Sequence, residues 1–363
     1  MPQSLNIAIW GYASNILPTW DPDTTEIGLP GSEECAVYAS QELARRGHRV
    51  TVFMNPHQSS RFRNSHQNPR WLHAGDYMKS MQEFDFAILW RHNGYYLAKQ
   101  KAKYVVYWGH DTPDGNQRGL KFPEFDGLIL LSQHHLTQML HVFPNLKDTP
   151  VCVSGNGYLP QQFDRPLRFK NPYSIGYYSN YSRGLEVLLL VWPRIKEEFP
   201  DATLDVYYGR EHWGTMSQKH LDSLVYKLNT LPGVTEHGKV GHLQLAEAMC
   251  TTSVWAYPHI GSDVNSGETF CITAVKTQAA GSIPVVTRAG ALKETVKPGA
   301  PSIEVITDNN HVTDYYNLLT SVLHQIENKT IEERKGYIQF AQQFTWEQCI
   351  NKWLDFYKLI SSK

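Results

Sequence analysis

Short apolar runs alternate with longer stretches of helical spacing along most of the chain. Leu5–Trp10, Arg49–Phe53, Phe84–Trp90, Tyr104–Tyr107 and Gly127–Leu131 read as buried strands. Between the first two, apolar positions from about Ser32 to Arg46 recur at helical spacing and stop at Gly47, a glycine placed to end a helix. Ser132 is placed to cap the helix that opens S-Q-H-H-L-T-Q-M-L. The apolar pattern lapses near Pro160–Pro172, which reads as a linker. It resumes with strands at Tyr173–Tyr178 and Thr203–Tyr208 and a strand, loop and helix from Val234. Phe344, Trp346, Ile350, Trp353, Leu354 and Tyr357 then line one face of a terminal helix.

The most informative stretch is Ser253–Thr287. Ser253–Tyr257 reads as a strand leaving its sheet at Pro258, and a loop rich in Gly, Ser, Asp and Asn closes at Glu268. Phe270, Ala274, Val275 and Ala279 predict a helix over Phe270–Ala280, capped by Gly281, and Ile283, Val285 and Val286 begin the next strand. This is a β-loop-α-β unit whose loop lies at a strand's carboxyl end, where open parallel sheets bind ligands.

Length and composition set the frame. A chain of 363 residues fits two domains better than one. A formal net charge of -1 gives no overall field that would draw nucleic acid or a membrane surface. The five cysteines are widely spaced and contain no Cys-x-x-Cys, so neither a zinc site nor a disulfide framework is indicated, and a reducing cytoplasm is the simplest setting. The first residues lack the basic start and long apolar core of a signal peptide, and no window approaches the roughly 18 apolar residues of a membrane span.

The loop before the predicted Phe270 helix holds the chemistry. Gly267 lets the backbone approach a ligand, and the amides of Thr269 and Phe270, near a helix start, are placed to face an anion such as a diphosphate. Glu268 supplies a carboxylate for sugar hydroxyls, with first-turn dipole compensation as the plainer reading. Lys276 lies eight residues on, roughly 12 Å along a continuous helix at about 1.5 Å per residue. Near the amino terminus, Leu5–Trp10 is not followed by G-x-G-x-x-G, which argues against a dinucleotide fold, and Asp21-Pro22-Asp23 reads as loop, not a metal motif.

Taken together, these segments resemble the retaining glycosyltransferases of family 4, which have the GT-B fold. The family's hallmark is a Glu, seven residues and a second Glu, then a helix and a G-x-P-V-V strand. Glu268 and G-S-I-P-V-V at Gly281–Val286 match, but Lys276 replaces the second Glu. The resemblance implies an α/β protein of two Rossmann-like domains with parallel sheets facing across a cleft. It places an acceptor-side domain at residues 1–165, a donor domain at 166–340, and a terminal helix at 341–363 crossing back to the first. It further implies that Glu268 holds the donor hexose, and that His110, in W-G-H-D after the Tyr104 strand, contacts the same sugar. Gly31, at a loop-helix junction, would lie beside donor phosphates and acceptor. Arg183, matching the K-G element of the family's phosphate motif, would neutralise the diphosphate with Lys276, and Arg210 is a weaker candidate. Tyr178 stands where the family has an upstream Arg. Lys239 and Val240 would read the base through their backbone. Asn156-Gly157 matches the core of a P-N-G-V-D segment that ends the family's first domain.

The implied function is transfer of a hexose from a nucleotide diphosphate sugar, of the GDP-mannose or UDP-glucose type, to a hydroxyl of a glycan, glycoprotein or glycolipid. The α configuration is retained, and no metal and no cofactor other than that substrate is implied. Two other functions stay open: a sugar-nucleotide epimerase of the same fold, and a non-catalytic nucleotide-sugar binder, given the loss of the second Glu and the upstream Arg.

Overall fold

The computed structural model describes residues 4–11, 19–113, 121–165, 171–209, 217–260, 268–328 and 331–362. The chain divides into two compact units. Unit 1 comprises Met1–Thr25, Leu29–Gly157 and Phe344–Lys363, and unit 2 comprises Glu26–Gly28 and Tyr158–Gln343.

Unit 1 is built on strands β1 (Asn6–Gly11), β2 (Arg49–Met54), β3 (Arg70–His73), β4 (Phe84–Trp90), β5 (Ala102–Trp108), β6 (Gly127–Leu130) and β7 (Val151–Val153), with helices α1 (Gly31–Arg45), α2 (Tyr95–Ala98) and α3 (Gln133–Val142) between them. The strands pair in parallel in the order β3-β2-β1-β4-β5-β6-β7. Such strands are covered on both faces, which is why they read as continuous apolar runs. Ile7, Ile9, Val52, Ile88 and Val106 are completely buried. Ser132 Oγ caps α3 by accepting from the His135 amide at 2.9 Å.

Unit 2 follows the same plan. Its strands are β8 (Ser174–Tyr177), β9 (Thr203–Tyr207), β10 (Val234–Gly238), β11 (Val254–Tyr257), β12 (Ile283–Thr287) and β13 (Ser302–Ile303). Its helices are α4 (Leu185–Glu198), α5 (Gln218–Thr230), α6 (His242–Thr251), α7 (Ile272–Ala279), α8 (Leu292–Thr295), α9 (Asn309–Gln325) and α10 (Ile331–Ala341). The strand order is β10-β9-β8-β11-β12-β13, again all parallel.

The last helix, α11 (Trp346–Ser361), belongs to unit 1, where Thr345 Oγ1 caps it from the Gln348 amide. Trp346, Ile350 and Trp353 are buried as the pattern predicts, and the Trp353 ring packs 4.7 Å edge-on to Trp108. The buried stripe continues through Phe356 and Ile360, while Leu354 and Tyr357 are half-buried at its margin. No helix among the described residues is long and apolar enough to cross a membrane.

One predicted boundary moves. The helix expected from Phe270 begins at Ile272, because Cys271 takes a left-handed backbone (φ 62°, ψ 74°) that a helix does not admit. Phe270 is buried all the same, so its apolar character reports packing and not helix. Glu268 therefore lies outside the first turn of α7. The plainer reading, a first-turn acid facing the helix dipole, does not describe it, and helical rise does not set its distance to Lys276.

Candidate functional site

In an open parallel sheet the strand order reverses at one place, and the loops leaving the two strands there diverge to opposite faces and open a crevice. In unit 2 this place lies between β8 and β11. These strands pair at only two positions, Val254 with Ile175 and Trp255 with Gly176. The loop after β8 carries Arg183 and the loop after β11 carries Glu268, so residues 85 apart in sequence meet at one carboxyl edge.

The first loop is shaped locally. Asn180 Oδ1 accepts from the Ser182 amide at 2.9 Å and starts a single turn over Tyr181–Arg183. Gly184 then adopts φ 106° and leads into α4. A side chain there is excluded twice: the backbone is left-handed, and a Cβ would lie 2.0 Å from the Pro258 carbonyl oxygen. Gly184 thus brings the Arg183 turn directly onto the backbone that follows β11.

Arg183 Nη1 donates to Glu268 Oε2 at 2.8 Å, and the Tyr257 hydroxyl donates to the same oxygen at 2.9 Å. The Cys271 thiol also hydrogen-bonds Glu268. The Glu268 carbonyl accepts from the Ala291 amide at 3.0 Å, so its backbone is held as well. The Glu268 side chain is 9% exposed, whereas the Arg183 side chain is 35% exposed. The negative partner is enclosed and the positive one reaches outward. The electrostatics agree: Glu268 holds the guanidinium above its ordinary range. Burial, then the same carboxylate, drives the Tyr257 hydroxyl and the Cys271 thiol well above theirs. Both therefore stay protonated as hydrogen-bond donors.

The other residues expected in the donor half are distributed around this pair. Thr269 and Phe270 follow Glu268 and are buried, and Thr273 Oγ1 donates to the Tyr178 carbonyl at 3.3 Å, tying the start of α7 to the end of β8. Lys276 lies buried on α7. Lys239 and Val240 follow β10. Lys239 is exposed, its amide faces Gly209, and the Val240 carbonyl faces Gly28. Gly267 and Arg210 lie outside the described residues.

Unit 1 carries its own group, near the reversal between β1 and β4. Gly31 is the first residue of α1, and Glu33 and Glu34 follow in the first turn, both buried. Arg91, just beyond β4 with a left-handed φ of 53°, donates through Nε to Asp111 Oδ2 at 2.6 Å. It also lies 3.7 Å from Glu33 Oε1 and 5.1 Å from the centre of the Trp90 ring. Burial works against the charge on Arg91, but Asp111 and then Glu33 more than offset it, and its pKa is raised. His110, after β5, is buried against the edges of Trp108 and Trp90. Burial, with Arg91 and His135 adding to it, pushes its pKa well below that of a free imidazole, so it is neutral.

Tyr257, Cys271 and Arg91 were not singled out from sequence. Tyr257 has a visible signal, a tyrosine as the last strand residue before Pro258 at a ligand-binding edge. Arg91 has a weaker one, a cation in a strand-end loop. Among the described residues, no group of three or more His, Cys, Asp and Glu side chains is placed to hold a metal ion.

Comparison with known proteins places the chain in a family and a fold. The family model of glycosyl transferases group 1 matches residues 160–344. No curated protein matches by sequence. Among solved structures, sucrose-phosphate synthase from Thermosynechococcus elongatus aligns with TM-score 0.73 at 15% identity, covering 99% of this chain and 100% of that one. HepE from Anabaena, solved with UDP-glucose, aligns with TM-score 0.69 at 15% identity, over 99% and 100%. The pneumococcal O-GlcNAc transferase GtfA, solved with UDP and GlcNAc, aligns with TM-score 0.58 at 14% identity, covering 79% of this chain and 59% of that one. The chain thus spans about three fifths of the length of that transferase. At these identities the likeness establishes the fold, two parallel α/β units of GT-B type. The family model covers half of the sequence, and with it the Arg183–Glu268 pair: the chain belongs to the group 1 glycosyl transferases.

Proposed function

We propose that this glycosyltransferase moves a hexose from a nucleotide diphosphate sugar to an acceptor hydroxyl, with retention of the α configuration. The observation that carries the proposal is the outward-reaching Arg183 beside the enclosed Glu268 at the reversal point of the unit 2 sheet. A departing diphosphate gathers negative charge, and a cation fixed at that point stabilises it. A carboxylate presented next to it is a ready acceptor for sugar hydroxyls. Lys276 is assigned to the same donor, and Thr269, Phe270 and Gly267 to the backbone that the phosphates approach. Lys239 and Val240 are assigned to the base. His110 and Gly31 of unit 1 are assigned to the reaction on resemblance to family 4 alone.

In the proposed chemistry the acceptor oxygen attacks the anomeric carbon on the face that the diphosphate leaves, through an oxocarbenium-like state. The C–O bond to the phosphate breaks as the new glycosidic bond forms, and the acceptor proton passes to the departing phosphate oxygen. The protein contributes position and charge, and no metal is assigned a step. The acceptor class is a glycan, glycoprotein or glycolipid. The five cysteines are all free and buried, which suits a reducing compartment such as the cytoplasm.

A thermal-shift screen of UDP-glucose, GDP-mannose and related donors identifies the substrate, because a ligand bound only by the folded chain raises its melting temperature. Donor turnover is then compared in the wild type and Glu268→Ala. Loss of at least a hundredfold is expected, and full turnover in the variant would refute the site. Conversion of donor to a new nucleotide sugar without acceptor would instead establish an epimerase. NMR of the product's anomeric proton tests retention, and activity unchanged by EDTA tests metal independence.

A further inference from the structure

His259 is the second residue after β11 and is only 6% exposed. Its backbone is fixed on both sides: the amide donates to the Tyr257 carbonyl at 3.0 Å, and the carbonyl accepts from Thr287 Oγ1 at 2.9 Å. It is also placed beside the donor half of the site. The Gly184 turn that carries Arg183 packs against the Pro258 carbonyl and the His259 amide. The imidazole stands edge-on to Tyr257, whose hydroxyl holds Glu268, with ring centres 5.7 Å apart. It lies close enough to feel the charges of both Glu268 and Arg183. Yet its Nδ1 is buried with no hydrogen-bond partner among the described residues.

An enclosed ring nitrogen without a partner has lost its hydrogen bonds to water and gained none in return, a cost of order one bond. A phenylalanine of similar shape would avoid that cost. The nitrogen is therefore explained by a partner that the described residues do not supply. Burial lowers the imidazole's pKa and Arg183 adds to it, with Glu268 and a backbone hydrogen bond at Ile260 partly opposing, so the ring is neutral and its Nδ1 presents either a donor or an acceptor.

We infer that His259 is a ligand-contacting residue of the donor site, its Nδ1 hydrogen-bonding a hydroxyl or phosphate oxygen of the nucleotide sugar beside the Arg183–Glu268 pair. This rests on the donor-site reading above and adds a residue to it. The contact orients the donor. It moves no proton in the transfer.

The test uses the full chain and two variants. His259→Phe keeps the ring's volume and its edge contact with Tyr257 but removes the nitrogen, and His259→Asn returns a polar atom close to the Nδ1 position. UDP-glucose and GDP-mannose are the probes, titrated calorimetrically, with the melting temperature of each ligand-free protein measured alongside. His259→Phe is expected to weaken binding of the better probe about tenfold, the loss of one hydrogen bond in an enclosed site, while its ligand-free melting temperature stays equal or rises. His259→Asn is expected to recover at least half of the lost affinity on a logarithmic scale. A residue that serves only packing behaves oppositely, with a lower melting temperature and no rescue by Asn, and that pattern overturns the inference. Unchanged affinity in His259→Phe overturns it while leaving the donor site standing. Failure of the wild type to bind either probe counts against both.

Discussion

The Arg183–Glu268 pair makes a stability prediction independent of any substrate. Arg183→Met keeps most of the side chain's apolar stem but removes its charge, leaving Glu268 enclosed with Tyr257 and Cys271 as its side-chain donors among the described residues. Two unit charges about 4 Å apart attract by about 4 kcal/mol at an effective dielectric constant near 20. Breaking a buried pair from one side costs about 3–5 kcal/mol, because the remaining charge stays out of water. The Arg183 side chain is 35% exposed, so solvent screens part of this, and about 2–3 kcal/mol is the expected loss. Glu268→Gln in the same background removes the stranded charge and keeps a carbonyl oxygen for the Tyr257 hydroxyl. The double variant is therefore expected to be more stable than Arg183→Met alone, by about 1–2 kcal/mol. The assay is urea unfolding of the wild type, both single variants and the double variant, followed by circular dichroism and closed as a double-mutant cycle. Additive losses across the cycle, or an Arg183→Met midpoint equal to that of the wild type, would refute the reasoning.

Two further outcomes test the frame around the site. Gly184→Ala must relieve both a left-handed φ of 106° and a Cβ placed 2.0 Å from the Pro258 carbonyl oxygen; a loss of about 3 kcal/mol or more in urea unfolding is expected, and a wild-type midpoint would show the turn to be wrongly placed. In unit 1, His135 is fully buried and burial holds its pKa down at about 4. A depressed histidine contributes stability that is complete above its unfolded pKa of about 6.5 and lost as pH falls towards the folded value. This group alone therefore removes about 2 kcal/mol between pH 7 and 5, and His135→Gln is expected to flatten that slope, measured as the urea midpoint against pH.

Much of the fold was legible because parallel strands covered on both faces have to be apolar throughout. Ile7, Ile9, Ile88 and Val106 announce their strands in this way, and Ser132 and Gly281 mark helix ends by local chemistry alone. The start of α7 was not legible. Buried Phe270 gives the same apolar signal inside a helix or just before one, and only the backbone of Cys271 decides. Glu268 could be singled out from its flanks, but its partners could not. Arg183 is 85 residues away, and the contact exists only because β8 and β11 are neighbours in the sheet, a fact of strand order that no local pattern carries. The same holds in unit 1 for Arg91, whose partners Glu33 and Asp111 come from α1 and from the loop after β5.

Both units place an arginine from the loop after a central strand against a carboxylate, and the balance of charge separates their roles. In unit 1, Arg91 faces two carboxylates, Asp111 at 2.6 Å and Glu33 at 3.7 Å, and buried Glu34 shares the first turn of α1. That helix start already holds the negative charge its amides favour. In unit 2, Arg183 pairs with Glu268, and no acid stands in the first turn of α7. The hydrogen bonds from Tyr257 and Cys271 stabilise that carboxylate without adding charge. In unit 1, burial together with the neighbouring Arg91 and His135 keeps His110 neutral.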